Sequence, residues 1–389
     1  MWAAIAAGVV AAACVGKLPT AIPLLREQFG LSLIAAGWVN SVFNTLSVCT
    51  AAFVGVLAGR YGALRFCGAG LALMMLGGAL GAAAQAQGAL FASRILEGGG
   101  FICISVSAPA LIIAACATRQ RNLALGLWAS YLPFGSGLTI LASPYLLGTI
   151  GWRGLWLAIA LLTLACAIAL WRCRGSYRTA PAAAPTLAGA LKSLRQPGPW
   201  WLGLGFACYS LMYYALAVWL PTFLTQERGV SIARAAFLTA LLIGCNALGN
   251  LIGGWLMHRS AARGRLISLA FLIMAACCLG IFSAAVPDAL RFSLCTLFML
   301  AGGMIPASIL SGGQVYARET SQISSIQGLI IQIAQIGPFA GPPLIAAVVS
   351  AAGNWEAALG VLLAAAALGT LFGQLAFRAE RALAPRPAA

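Results

Sequence analysis

Acidic side chains are nearly missing from this sequence. Seven Asp and Glu and a single His occur among 389 residues, and charged residues of all kinds make up 8%. A soluble domain carries about a quarter of its residues as charge, so a fold that meets water over its whole surface is excluded. The lone His258 lies beside Arg259 in a polar turn, and the twelve cysteines are scattered with no C-x-x-C spacing. Neither a zinc site nor a two-histidine iron or haem site can be assembled from these. No metal or cofactor is therefore expected, and most cysteines read as small hydrophobes. Also missing are an H-E-x-x-H pair, a G-x-S-x-G elbow and a G-x-x-x-x-G-K-[ST] phosphate loop, so an enzyme is not expected.

What the chain has is apolar sequence, at 62% of residues, gathered in runs such as 66–84, 153–171 and 266–286. A membrane helix needs ~20 apolar residues, whereas barrel strands alternate polar and apolar over ~10; a porin-like barrel is excluded. Twelve windows appear, near 2–25, 33–58, 66–84, 89–116, 122–148 and 153–171, then 199–224, 234–257, 266–286, 290–316, 324–350 and 355–376. The first lacks a basic leader and an A-x-A site and reads as a retained helix. The expected organisation is an N-terminal six-helix bundle over 1–171, a cytoplasmic linker over 172–198 rich in Ala and Pro, a C-terminal bundle over 199–376, and a cytoplasmic tail over 377–389.

The formal charge is +16, from 23 basic residues. Nucleic acid is not indicated, because the basic-rich segment 172–195 has no interleaved aromatic platform. Membrane topology explains the excess. With the N-terminus cytoplasmic, sixteen basic residues fall in inner loops and tail, and only Arg26, Arg153, Arg228, Arg234 and Arg291 fall outside. Both termini are therefore expected on the cytoplasmic side of the inner membrane. Trp38, Trp152, Trp219 and Trp355 lie near the outer boundary, where an aromatic belt is expected.

The two halves repeat at an offset near 200. Pro23 onward matches Pro221 onward, bringing Gly30 onto Gly229 and Ser32 onto Ser231. In the same order, Gly55 and Arg60 match Gly254 and Arg259, Gly98 and Gly99 match Gly302 and Gly303, and Gly126 and Gly135 match Gly328 and Gly337. The reading is an all-α integral membrane protein whose twelve transmembrane helices form two pseudo-symmetric six-helix bundles.

With this repeat, GVLAGRYGALR (55–65) resembles the helix 2–3 loop of the major facilitator superfamily, and RILEGGG (94–100) resembles its helix 4 pattern. KLPTAIPLL (17–25), LEGGGF and LGLWASYLPFG resemble the cyanate and nitroimidazole permease-like group within it. The resemblance implies the major facilitator fold, a cavity lined by helices 1, 4, 7 and 10, and a gate at the cytoplasmic loops. The gating residues are expected to be Gly55, Arg60, Gly254 and Arg259, with the two glycines, which the repeat places at the inner ends of helices 2 and 8, packing closely against neighbouring helices. Gly59 stands where the family has an aspartate, so its latch is not carried over to that position, and positive-inside arginines alone also account for Arg60 and Arg65. Thr139 and Ile140 replace the Gly-Pro of the drug-antiporter signature. LSGGQ at 310–314 is the signature of ATP-binding-cassette ATPases, but it lies in a hydrophobic run and has no phosphate loop to complete.

Lys17, Arg94 and Glu97 are charges within apolar runs. Each costs roughly 2.5–3.5 kcal/mol at a helix centre, so they must line a watery cavity or pair with one another. Helical rise places Lys17 and Glu97 both ~12 Å below the outer boundary, where they can meet. One reading is an ion pair that only ties helices together; the other is a net-positive site in which Lys17 and Arg94 bind an anion and Glu97 couples a proton. Among the mid-helix polar residues, Tyr131, Tyr213 and Gln332 are the further solute-binding candidates; the rest read as interhelical hydrogen bonds. The expected function is secondary transport of a small anionic organic solute by alternating access, in a monomer whose partners are the solute, protons and the lipid bilayer. The alternative is a membrane receptor or sensor that binds a small ligand without moving it. The topology has a direct check. In a background without other cysteines, an impermeant thiol reagent applied to intact cells should miss Cys173 and label Asp288→Cys; the reverse pattern overturns the orientation.

Overall fold

The computed structural model describes residues 1–116, 124, 128, 130–177, 196–259, 262–283, 285–316 and 320–383. Gly126, the inner-loop arginines Arg119 and Arg121, and most of the expected linker (178–195) lie outside them. The first four helices are α1 (Trp2–Phe29), α2 (Leu33–Ser41, a 3-10 turn at Val42–Asn44, then Thr45–Tyr61), α3 (Ala63–Ala82) and α4 (Gln87–Ala115). One run, Tyr131–Arg172, is broken at Gly151 into α5 (131–150) and α6 (152–172). Then come α7 (Pro197–Gln226), α8 (Ile232–His258), α9 (Arg263–Ile281) and α10 (Asp288–Leu310). The last are α11 (Thr320–Ala334 continued as Ile336–Ala352) and α12 (Ala358–Leu383). That makes twelve membrane-length helices, and no strand occurs among the described residues.

Two helices run four or more residues past the C-terminal end of their apolar windows. α1 continues through Arg26, Glu27 and Gln28 to Phe29, and α12 runs past residue 376 to Leu383. In both places the extra turns consist mostly of good helix formers, and nothing stops them before a left-handed glycine or the end of the pattern. Gly30 caps α1 at φ 62°, and Gly229 has φ 61°. Ser32 Oγ accepts from Ala35 N–H at 3.1 Å, and Ser231 Oγ accepts from Arg234 N–H at 3.4 Å. Matched residues of the two halves thus make the same turn. A second pair was not visible as a motif: Gly151, φ 68°, separates α5 from α6, and Gly353, φ 72°, precedes α12. A residue with a Cβ pays a steric penalty in that region.

The chain forms two compact units. The first contains Met1–Ala184 with Leu216–Gly244 and Pro342–Ala346; the second contains Pro185–Ala215, Cys245–Gly341 and Ala347–Ala389. In the first, α1 packs along α5, and α3 along α4. A Cβ at Gly135 would collide with the Val9 carbonyl, and one at Gly98 with the Phe43 carbonyl. In the second unit a Cβ at Gly337 would lie 2.5 Å from the Ala207 carbonyl, and one at Gly303 would collide with the Asn246 carbonyl. Small residues let helix backbones approach closely where lipid supplies no hydrophobic driving force. By these contacts Gly98 corresponds to Gly303, one residue from the register read in the sequence. α9 packs against α10 and α12, where Arg263 is ion-paired with Glu380 and donates to the Ser308 carbonyl at 2.7 Å. Leucines such as Leu161, Leu251 and Leu272 face outward, as lipid requires.

Two tryptophans expected in the outer belt are buried instead, Trp152 at 5% exposure and Trp219 at 2%. Each indole N–H has an acceptor that outcompetes the interface: Trp152 donates to Gln28 Oε1 at 2.5 Å, and Trp219 to the Pro342 carbonyl at 3.1 Å. The close packing expected at Gly55 and Gly254 is not found among the described residues. A Cβ at Gly55 meets only Val106 at 3.6 Å, and none of the described atoms comes within 4 Å of one at Gly254. Gly135→Leu and Gly337→Leu should therefore each destabilise the detergent-solubilised protein by roughly 1–3 kcal/mol, read as a lowered Tm. Gly254→Leu should leave Tm unchanged.

Candidate functional site

Lys17 on α1 and Arg94 and Glu97 on α4 come together inside the first unit, each at 0% exposure. Lys17 Nζ is ion-paired with Glu97 Oε1, and Arg94 Nη1 lies 2.5 Å from Glu97 Oε2. Arg94 and Glu97 share a helix face three residues apart, so one carboxylate faces both cations. Lys17 stands twelve residues before the end of α1 and Glu97 ten residues into α4, which at 1.5 Å per residue puts them roughly 15–18 Å from those helix ends. The cluster is thus deeper than the apolar windows indicated, because both helices extend further outward. Glycines make room for it: a Cβ at Gly77 would lie 2.8 Å from Glu97 Cγ.

Arg94 also donates through Nη1 to the Cys14 carbonyl at 3.0 Å and through Nε to the Val39 carbonyl at 3.4 Å. Its guanidinium lies 4.5 Å from the Phe43 ring centroid, and Lys17 Nζ lies 4.4 Å from the Trp156 ring. Five helices, α1, α2, α3, α4 and α6, thus supply its walls. Of the two ways to satisfy charge in a membrane, the structure shows pairing. Around it are buried polar atoms with no hydrogen-bond partner among the described residues: Thr20 Oγ1 one turn from Lys17, Asn40 Nδ2 next to Val39, and Trp156 Nε1. Such groups are costly in hydrocarbon, and here they adjoin a cluster of formal charge +1.

An aromatic wall leads away from Arg94. Phe43 lies 5.3 Å from Phe101, Phe101 6.4 Å from Tyr131, and Tyr131 stacks on Trp128 at 4.3 Å. Tyr131 is half-buried, and its hydroxyl is 3.1 Å from Ser105 Oγ. Sequence reasoning found Lys17, Arg94, Glu97 and Tyr131 but missed Phe43, Trp156 and Ser105, whose apolar runs do not distinguish them from core. In the second unit, Tyr209 OH donates to Asn246 Oδ1 at 3.1 Å, and Asn246 Nδ2 donates to the Met299 carbonyl at 3.0 Å. Tyr213 is buried, its ring 5.9 Å from Tyr209. Gln332 is half-buried on α11. Arg60 lies 5.6 Å from the Tyr61 ring and Arg259 4.9 Å from the Trp255 ring, both exposed.

Removing different members of the cluster leaves different charges behind. Lys17→Met keeps the Arg94–Glu97 pair neutral, whereas Glu97→Ala leaves two buried cations without a carboxylate. Glu97→Ala should cost roughly 3–5 kcal/mol and Lys17→Met distinctly less, with Glu97→Gln intermediate because its amide oxygen still accepts a hydrogen bond. Thermal melts of the three purified variants give the ranking, and a Lys17→Met loss as large as that of Glu97→Ala contradicts it.

A sequence model of the Major Facilitator Superfamily matches residues 4–336. The chain is 28% identical over 377 residues to the 2-nitroimidazole transporter of Escherichia coli K12, covering 92% of this chain and 91% of that protein. It is 28% identical over 292 residues to the gallate transporter of Pseudomonas putida, covering 66% and 64%. A crystal structure of a bacterial homolog of the human lysosomal transporter Spinster, in an inward-facing and occupied conformation, superposes with a TM-score of 0.83 at 16% identity, covering 100% of this chain and 98% of that one. The nitroimidazole-permease resemblance read from the sequence is met by the first relative. A family match over well beyond half the chain, with a twelve-helix fold to go with it, places this protein in the Major Facilitator Superfamily.

Proposed function

We propose that the protein is a secondary transporter of the inner membrane, both termini cytoplasmic, that moves a small anionic organic solute by alternating access. The observation that carries this reading is the buried cluster of two cations and one carboxylate on α1 and α4. A net positive charge in a low-dielectric site attracts an anion strongly, and a transmembrane ionisable group has a function by default. The gallate transporter among the relatives is named for a carboxylate, which agrees with that sign.

In this reading Tyr131 and Ser105 meet the solute at the aromatic wall of the first unit, and Tyr213 and Gln332 are the solute-binding candidates of the second. Lys17 and Arg94 hold its negative charge once Glu97 lets go of them. Protonating Glu97 cancels both ion pairs at once, so proton uptake frees two cations for an anion. Transport and proton movement are thereby linked through one carboxylate. Gating belongs to the loops bearing Gly55 and Arg60 on one side of the repeat and Gly254 and Arg259 on the other.

Proteoliposome uptake with labelled aromatic and aliphatic carboxylates tests the proposal. Lys17→Ala should abolish uptake, a loss of tenfold or more. Glu97→Gln should retain solute exchange but lose acceleration by an inward proton gradient. Normal uptake by Lys17→Ala removes the anion site, and gradient-driven accumulation by Glu97→Gln shows that the proton passes elsewhere.

A further inference from the structure

Polar atoms buried within a bilayer are paired as a rule, because hydrocarbon offers an orphan nothing. Seven buried side-chain atoms break that rule among the described residues, and three of them adjoin the charged cluster of the first unit: Thr20 Oγ1, Asn40 Nδ2 and Trp156 Nε1. Their side chains come from α1, α2 and α6 and are 2%, 2% and 0% exposed. Each stands beside a cation. Thr20 lies one turn beyond Lys17, Asn40 follows Val39, whose carbonyl accepts from Arg94, and the Trp156 ring lies 4.4 Å from Lys17 Nζ.

The three atoms share a polarity. Trp156 Nε1 and Asn40 Nδ2 can only donate, and the Thr20 hydroxyl donates as readily as it accepts. The acceptors around them are engaged: Glu97 gives one oxygen to Lys17 and the other to Arg94, and the Cys14 and Val39 carbonyls accept from Arg94. The neighbourhood is therefore short of acceptors as well as of negative charge. A cationic or purely apolar solute would leave both shortages in place. The two cations, moreover, are spaced by the two oxygens of a single carboxylate. A second flat group with two oxygens on one atom spans them equally well, whereas a single-atom anion cannot face both and the donors beside each.

We propose that Thr20, Asn40 and Trp156 are specificity-determining residues that donate hydrogen bonds to the oxygens of a planar oxyanion, a carboxylate or nitrate-like head, which takes the place of Glu97 between Lys17 and Arg94. Thr20 and Trp156 serve the oxygen nearer Lys17, and Asn40 serves the oxygen nearer Arg94. This assignment rests on the reading of the cluster as the anion site and adds to it the shape and acceptor count of what is bound.

The test uses the full chain purified in detergent, with benzoate, nitrate and chloride as probes in titration calorimetry, and with Tm measured in the absence of all three. Benzoate or nitrate should bind, and chloride distinctly more weakly. Thr20→Val, Asn40→Ala and Trp156→Phe should each weaken binding of the oxyanion about tenfold, as loss of one hydrogen bond to a charged group does, and leave the chloride affinity unchanged. Thr20→Val should at the same time raise Tm, because it removes a buried hydroxyl that nothing satisfies; a hydroxyl that merely held the fold together would lower Tm on removal. Undiminished oxyanion binding by any of the three variants overturns the proposal, as does a lowered Tm for Thr20→Val, an equal affinity for chloride, or failure of both oxyanions to bind. Lys17→Ala separates this assignment from the reading beneath it. Binding lost in Lys17→Ala but intact in the three variants defeats the assignment alone, whereas oxyanion binding that survives Lys17→Ala removes the anion site itself.

Discussion

Charge among hydrocarbon chains has to be answered by other charge, and in this protein nearly all of the answer is given once. Lys17, Arg94 and Glu97 neutralise one another down to a single positive charge inside five helices. Their backbone and ring contacts, from Cys14, Val39, Phe43 and Trp156, fix the separation of α1, α2, α4 and α6. The rest of the first unit is arranged around that demand. Small residues at Gly77, Gly98 and Gly135 bring the helices close enough for one carboxylate to reach two cations on different helices.

The internal repeat sharpens the point. Both halves carry the same turn, Gly30 with Ser32 and Gly229 with Ser231, and the same glycine-to-carbonyl contacts. Their interiors nevertheless differ. Taking Gly98 onto Gly303, Met299 stands where Arg94 stands, and the second unit uses a neutral chain of Tyr209, Asn246 and the Met299 carbonyl. Among the described residues, a common scaffold therefore holds a charged cluster in the first unit and a neutral hydrogen-bonded chain at the matching place in the second.

The twelve helices, the repeat and the charged trio were readable from residue type alone, because charge is rare against an apolar background and the matched glycines recur in the same order in both halves. Contacts between equally apolar side chains were not. Phe43, Trp156 and Ser105 look like any core residues until the fold brings them beside Arg94, Lys17 and Tyr131. Trp152 and Trp219 were misplaced for a related reason: their distance along the chain from a helix end is that of a belt residue, and only the acceptors at Gln28 and Pro342, 124 and 123 residues away, draw them inward. Among the described residues no close backbone contact is made at Gly55 or Gly254, because repetition of a glycine identifies a place where backbones are able to meet, not one where they do.

The single residue Gly151 between α5 and α6 has a mechanical consequence. Successive Cα atoms are 3.8 Å apart, so a one-residue joint has almost no slack, and the two helix ends cannot part by more than about twice that distance. Any displacement of the end of α5 is shared by the start of α6 at this vertex, which makes Gly151 the fixed point about which either helix would tilt. Displacement is then small at that point and grows along each helix, so the far ends of α5 and α6 sweep widest for the least deformation of the chain.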